Sequence, residues 1–156
     1  AAAKATEQLA AGRTVALITL GDATVYSTYL YVHERIKRLG FETRIVNGIP
    51  SFCAAAARLD MPLVNGSQKL HILPASYHIE EALELPGVKV LMKSGRQMPK
   101  VKALLKEKGL EARMVENCGM EGEKTYQSLE EIPDDAGYFS LLIAESSEEK
   151  QGGQRT

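Results

Sequence analysis

The sequence is short of cysteine, of long apolar runs and of net charge. Its 156 residues include two cysteines, and the formal charge at neutral pH is −1. Cys53 and Cys118 lie far apart without CxxC or histidine spacing, which argues against a disulfide framework or a zinc site and predicts two reduced thiols in a cytoplasmic protein. Balanced charge gives no attraction to nucleic acid, and no apolar run approaches the about 20 residues of a membrane helix. The sequence therefore predicts that the protein binds neither nucleic acid nor a membrane.

Phosphate-binding and metal-binding patterns are also missing. The sequence contains no GxxxxGK[ST] and no GxGxxG between a predicted strand and a predicted helix, which excludes a P-loop and disfavours a Rossmann dinucleotide site. Its histidines, His33, His71 and His78, fall in three unrelated predicted elements. No metal site is predicted from them.

What is present is an alternation of short apolar runs and amphipathic segments, typical of an α/β protein. In the first part of the chain the pattern predicts helices over 4–11, 28–39 and 50–59 and strands over 14–20 and 42–46. Strand, helix and strand in this order form a βαβ unit with parallel strands. Because a sheet of two strands is marginal alone, we expect residues 1–64 to be the C-terminal part of a larger domain whose start is missing.

The turn-rich segment 60–69 separates this part from a second series of elements, which we interpret as a second α/β domain with a mixed sheet over 65–146. Strands are predicted over 70–74, 88–93, 111–116 and 138–144, helices over 79–85 and 100–108, and a short turn or helix over 126–132. The polar residues 147–156 are predicted to form a disordered tail.

Two strand ends in the first part carry candidate ligand loops. Gly21-Asp22 follows the first predicted strand and is continued by Val25, Ser27 and Thr28, whereas Gly48-Ile49-Pro50-Ser51 follows the second. Parallel strands end at one edge of a sheet, where α/β proteins bind ligands. Helix capping by Asp22 and Ser51 is the alternative interpretation.

Two strand ends in the second part carry polar residues. Lys93 and Arg96 make a cationic strand end that suits carboxylate recognition, with a solvated surface as the alternative. Asn117-Cys118 follows the next strand and is expected to line the same cleft.

With these loops in place, the sequence resembles the tetrapyrrole methylases, and among them the precorrin-2 or cobalt-factor II carbon-20 methyltransferases of cobalamin biosynthesis. The resemblance runs to about Ala144 and is most specific where "YSTY" and "PSFCAAAARL" occur together. The matching segments are LGDATVYSTY at 20–29, GIPSFCAAAAR at 48–58, KLHILPA at 69–75, VLMK at 90–93 and ENCGM at 116–120.

The resemblance implies a two-domain enzyme, a homodimer, that methylates carbon 20 of a tetrapyrrole with S-adenosylmethionine held between the domains. The residues that it places at the cofactor are Gly21, Asp22, Val25, Ser27, Thr28, Ser51, Phe52, Met92, Asn117 and Cys118. The substrate is polyanionic, which makes Lys93, Arg96 and Arg113 candidate carboxylate partners. The residues suggest no catalytic base.

Two departures from the family pattern bear on activity. Ala23 stands where the family usually has proline, and the family's N-terminal GxGPGD loop is absent from the sequence. The chain alone is therefore expected to bind the cofactor weakly or not at all. Two other functions stay open, namely a non-catalytic nucleotide-binding or structural module and a methylase of the same fold with another substrate.

Overall fold

The computed structural model describes residues 2–75 and 79–146. It divides into two compact units, Ala1–Ser51 and Phe52–Thr156, so α3 begins at the division. His78 and the predicted tail 147–156 lie outside the described residues. The helices are α1 Ala2–Ala10, α2 Tyr29–Arg38, α3 Ser51–Arg58, α4 Glu80–Leu83 and α5 Met98–Glu107, with a 3-10 helix at Gly95–Gln97, and the strands are β1 Leu70–Pro74, β2 Val88–Met92, β3 Leu110–Glu116, β4 Lys124–Tyr126 and β5 Ser140–Ser146.

The first unit has its predicted helices but not its predicted strands. Helices α1 and α2 match the predicted segments, whereas residues 14–20 and 42–46 form no strand, so the predicted βαβ pairing is wrong as a description of this structure. The physical reason is visible in the side chains. Ile18 and Val46 are 93% and 81% exposed, and β-branched residues favour strands chiefly through burial against neighbouring strands.

The second unit is built on a mixed sheet of five strands in the order β1-β2-β5-β3-β4. Strands β1 and β2 are parallel, and the remaining neighbours are antiparallel. This confirms the predicted α/β class and the predicted mixed sheet. Because β2 and β3 both run opposite to the intervening β5, they end at the same edge of the sheet.

The core of the second unit follows from helical and strand periodicity. Met98, Val101 and Leu105 stand on one face of α5 and are at most 1% exposed, as expected for residues spaced i, i+3 and i+7. They pack in one cluster with Met114 of β3 and Leu142 of β5. Through this cluster, α5 packs against one face of the sheet.

Two details differ from the sequence interpretation of the second unit. Lys124–Tyr126 forms the short strand β4, where the pattern predicted no strand. Beyond it, residues 127–132 form turns, in agreement with one of the two predicted alternatives. The strand predicted over 138–144 lies at Ser140–Ser146.

Helix α3 has a separate apolar face. Phe52, Ala55, Ala56 and Leu59 are buried, at the i, i+3, i+4 and i+7 spacing of an amphipathic helix. None of the helices in the described part of the chain combines the length and apolarity needed to cross a bilayer.

Candidate functional site

The first candidate loop, residues 20–28, is organised around the side chain of Asp22. Gly21 has a φ of +75°, a conformation that suits glycine because it has no Cβ. Asp22 is 8% exposed, and its Oδ1 accepts bonds from the Thr24 amide at 2.8 Å and the Thr24 hydroxyl at 2.5 Å. The carboxylate therefore closes a tight turn at the start of the loop. Helix α2 begins with Thr28 as its N-cap, so the alternative role of Asp22 as that cap is wrong.

The second candidate loop, residues 47–51, lies directly against the first. The Gly48 amide donates to Oδ2 of Asp22 at 2.8 Å. A Cβ on Gly48 would overlap the carbonyl oxygen of Gly21, and a Cβ on Gly21 would lie 3.7 Å from the Ser51 amide nitrogen. The two loops thus meet backbone to backbone. The sequence predicted that they lie together at one edge of a parallel sheet, but the described residues of the first unit form no strand.

The hydroxyl donors of the first loop differ in what they contact. The Ser27 hydroxyl accepts a bond from the Tyr29 amide at 3.2 Å and lies 3.5 Å from the Thr19 hydroxyl. The Thr28 side chain makes no capping bond in the described part of the chain. Val25 is half-buried, and its amide donates to the Asp22 carbonyl at 3.3 Å.

The carboxylate of Asp22 is electrostatically tuned by its partners. The Thr24 hydroxyl, the Thr24 amide and the Gly48 amide, in that order, hold the pKa of Asp22 below its ordinary value. Bonds to the charged form favour ionisation. The group is therefore an anion throughout the physiological range.

The predicted cofactor residues Met92, Asn117 and Cys118 of the second unit lie at one edge of its sheet. Met92 ends β2 and pairs with Leu141, while Glu116 ends β3 and pairs with Ser140. Strand spacing places the ends of β2 and β3 about 10 Å apart, on either side of β5. Asn117 directly follows β3, and its amide donates to the Phe139 carbonyl at 3.0 Å.

The turn after β3 is held by a carboxylate that sequence reasoning missed. Glu123 accepts a bond from the Gly119 amide at 2.6 Å and forms an ion pair with Arg58 at the end of α3. The Gly119 amide is the main cause of the lowered pKa of Glu123. Burial, followed by the charge of Glu123, raises the pKa of the Cys118 thiol. Cys118 is thus a protonated thiol at neutral pH, which is not a nucleophile.

The three candidate carboxylate partners fall into two cavities. Lys93 and Arg96 line a cavity of about 830 Å³ together with Asp134, Asp135 and Tyr138. Arg113 lines a separate cavity of about 410 Å³, where its guanidinium donates to the Met61 sulfur at 3.3 Å. The structure therefore brings Lys93 and Arg96 together and leaves Arg113 elsewhere in the second unit.

Phe52 belongs to the buried face of α3, which begins at Ser51. Among the described residues, no group of three or more His, Cys, Asp or Glu side chains could hold a metal ion.

Comparison with known proteins gives matches over most of the chain. The family model described as Tetrapyrrole (Corrin/Porphyrin) Methylases matches residues 1–133. A probable cobalt-precorrin-2 C(20)-methyltransferase of Methanocaldococcus jannaschii is 38% identical over 83% of this chain and 57% of its own length. The cobalt-precorrin-2 C(20)-methyltransferase of Salmonella typhimurium is 36% identical over 91% of this chain and 62% of its own length. The chain thus spans about three fifths of these curated relatives.

Solved structures resemble the chain in fold. The cobalt precorrin-4 methyltransferase CbiF matches with a TM-score of 0.79 at 17% identity, over 92% of this chain and 69% of that one. A uroporphyrin-III C-methyl transferase from Thermus thermophilus, complexed with S-adenosyl homocysteine, matches with a TM-score of 0.62 at 16% identity, over 80% of this chain and 62% of that one.

Proposed function

Because the chain belongs to the tetrapyrrole (corrin/porphyrin) methylase family, we propose that it is part of an S-adenosylmethionine-dependent methyltransferase acting on carbon 20 of precorrin-2 or cobalt-factor II. The observation that carries this proposal is the 36–38% identity to relatives named for that reaction, over 83–91% of the chain. Cobalamin biosynthesis is the corresponding pathway.

The chemistry of the two loops in the first unit supports this methyl donor. Residues 19–28 and 47–51 contain no lysine or arginine, so they offer no cation to a nucleotide phosphate. They offer hydroxyls, backbone amides and carbonyls instead. Such groups suit an adenosyl sulfonium, which has no phosphate.

S-adenosylmethionine supplies an electrophilic methyl group, which is transferred to the acceptor carbon with release of S-adenosylhomocysteine and of one proton. The residues of this chain would bind and orient the reactants, since positioning alone can supply roughly 7–11 kcal/mol of a barrier. Ser51 and Thr28 stand in the two loops as donors for the cofactor. Met92 and the Asn117–Cys118 turn are proposed as contributions from the second unit, as is Phe52 from α3.

Substrate recognition is proposed for the cationic end of β2. Lys93 and Arg96 line one cavity, which Asp134 and Asp135 also line. The ammonium and the guanidinium are proposed as the partners of tetrapyrrole carboxylates. Arg113 lies in another cavity, so its contact with substrate is a separate proposal.

The organisation of the protein is also proposed. We infer that residues 1–64 belong to a first domain and residues 65–146 to a second, because the turn-rich segment 60–69 separates two series of elements in the sequence. The compact units of the structure divide earlier, between Ser51 and Phe52. A homodimer in the cytoplasm, with no nucleic-acid partner, completes the proposal. The unpaired thiols of Cys53 and Cys118 are compatible with a reducing compartment. Light scattering during size-exclusion chromatography measures the oligomeric state.

The test is a product analysis with the protein at its natural full length. The protein is incubated with S-adenosylmethionine and precorrin-2, with or without cobalt, and the product is examined by mass spectrometry and carbon NMR. Gain of one methyl group at carbon 20 is expected. Methylation at another carbon would indicate another methylase of this fold, and absence of transfer with all tetrapyrroles would favour a non-catalytic module.

A further inference from the structure

The side chain of Asp22 connects two loops that are far apart in sequence. Its Oδ1 accepts two bonds from Thr24, within the first loop. Its Oδ2 accepts the Gly48 amide of the second loop, 26 residues away, at 2.8 Å. One carboxylate therefore fixes both the shape of one loop and the position of the other.

The surroundings of the carboxylate leave it little capacity for a ligand. An ionised carboxylate has about four acceptor sites, and protein donors fill three of them here. The residue is 8% exposed. The backbone contact between Gly21 and Gly48 lies beside the same side chain and brings the loops closer than any residue with a Cβ would allow.

We propose that Asp22 is a positioning residue rather than a cofactor ligand, and that its carboxylate holds the loops at 20–28 and 47–51 in one binding-competent arrangement. The ligand is then bound by the remaining groups of the two loops. The ligand part of this inference rests on the proposed function. The loop arrangement itself does not, because it concerns bonds within the protein.

The variant Asp22→Asn separates the two halves of the contact. A carboxamide has one oxygen and one NH₂ group, so it cannot accept on both sides. When the carboxamide oxygen faces Thr24, the local turn is retained. The NH₂ group of the asparagine then faces the Gly48 amide, so that two hydrogen-bond donors oppose each other. Thr24→Val is the matched control, because it removes the hydroxyl bond and keeps both the Thr24 amide and the Gly48 contact.

The first measurement is the amide spectrum of the ligand-free protein. In Asp22→Asn the Gly48 amide proton is expected to move upfield and to exchange faster with solvent, because it loses a charge-assisted bond. In Thr24→Val the Gly48 amide should keep its shift and its protection. An unchanged Gly48 amide in Asp22→Asn would overturn the proposal, whatever the protein binds.

The second measurement compares ligands that differ in one group. S-adenosylmethionine, S-adenosylhomocysteine and methylthioadenosine are titrated by calorimetry into the wild-type protein and Asp22→Asn, at natural full length. A positioning role predicts the same loss for all three, roughly ten- to hundredfold in Kd. A loss confined to ligands with the amino-acid group or the sulfonium would identify Asp22 as a direct ligand and overturn the proposal.

Two further outcomes keep the inference separate from the proposed function and from misfolding. If the wild type binds none of the three compounds, the proposed function fails together with the ligand part, while the amide spectrum still decides the loop arrangement. An unchanged unfolding midpoint in Asp22→Asn, together with the uniform loss, supports positioning over general destabilisation.

Discussion

The two units place their candidate loops by different means. In the second unit, sheet bonding continues into the loops. The Ala75 amide donates to the Met92 carbonyl at 2.7 Å, and the Asn117 amide donates to Phe139 at 3.0 Å, each one step beyond a paired strand. In the first unit no strand is present in the described residues, and the Asp22 carboxylate makes the connection instead.

This difference predicts which substitutions disturb the candidate loops of each unit. Loops that extend a sheet share the stability of the sheet and of its buried core. Loops joined by a carboxylate depend on the charge and geometry of that group, because its Oδ2 accepts the Gly48 amide across 26 residues of sequence. The second unit should therefore respond to changes in its core, and the first to changes in Asp22.

The largest expected effect is that of a cavity in the sheet core. Leu142→Ala should destabilise the second unit by about 2–5 kcal/mol, since Leu142 is fully buried and its neighbours collapse incompletely. Ile18→Ala in the first unit is the control, with an expected change within about 0.5 kcal/mol because Ile18 is 93% exposed. Denaturant unfolding with amide exchange measures both. A large cost at Ile18 would break the comparison, because that side chain would then be covered in solution.

A smaller effect is expected when a carboxylate bond is removed from the second unit. Glu116 accepts the Gly137 amide at 2.6 Å and the Tyr126 hydroxyl at 3.4 Å. Tyr126→Phe should cost about 0.5 kcal/mol, because the bond it removes is long. Tyr31→Phe, at a side chain that is 78% exposed, is the control.

The Tyr126 phenol also offers a direct spectroscopic check. Burial, and then the charge of Glu116, raises its pKa above the ordinary value. An ultraviolet pH titration should show a phenol that ionises above the ordinary pKa of tyrosine, and that phenol should be missing in Tyr126→Phe. Loss of order in residues 133–139 in this variant would show that side-chain bonds, rather than the sheet, hold the loops of the second unit.

Much of the second unit could be predicted because its signals are local. Val88–Met92 and Ser140–Ser146 are apolar runs that the sheet buries, and α5 carries its core residues at helical spacing. Lys124–Tyr126 could not be found, since a three-residue polar strand gains its order from pairing with β3. Thr14 to Leu20 carries the same signal as a buried strand, yet the described residues of the first unit include no strand with which it could pair.

The candidate site was predictable to a similar degree. The sequence predicts Gly21 and Gly48 in neighbouring loops, at the ends of two parallel strands. The loops are neighbours, but residues 14–20 and 42–46 form no strand. The turn closed by Asp22 and Thr24 follows a local pattern, an aspartate with a hydroxyl residue two positions on. The bond from Gly48 to Asp22 spans 26 residues, and Glu123 pairs with Arg58 from a different element. No local pattern carries such pairings.

The smallest expected effect is a pH dependence of the Gly48 amide resonance, which distinguishes the first unit from the second. The pKa of Asp22 is lowered by the Thr24 hydroxyl first, then by the amides of Thr24 and Gly48. A carboxyl with a depressed pKa contributes its stabilisation above the unfolded-state pKa and loses it as the pH falls through the folded-state value. The Gly48 amide resonance should therefore stay constant from neutral pH into the acid range and move only below the usual pKa of aspartate. In Asp22→Asn this step should vanish, because an amide does not titrate.

The comparison becomes sharper if the amide of Asn117 is followed in the same titration. Its acceptor is the Phe139 carbonyl, a backbone group that does not titrate, so its resonance should not follow the Asp22 step. The pKa of Glu123 is also lowered. Its titration should instead move the resonance of its own partner, the Gly119 amide. Coincident movement of Gly48 and Asn117 would mean that the two units respond together, and the distinction between a sheet-positioned and a carboxylate-positioned loop would fail.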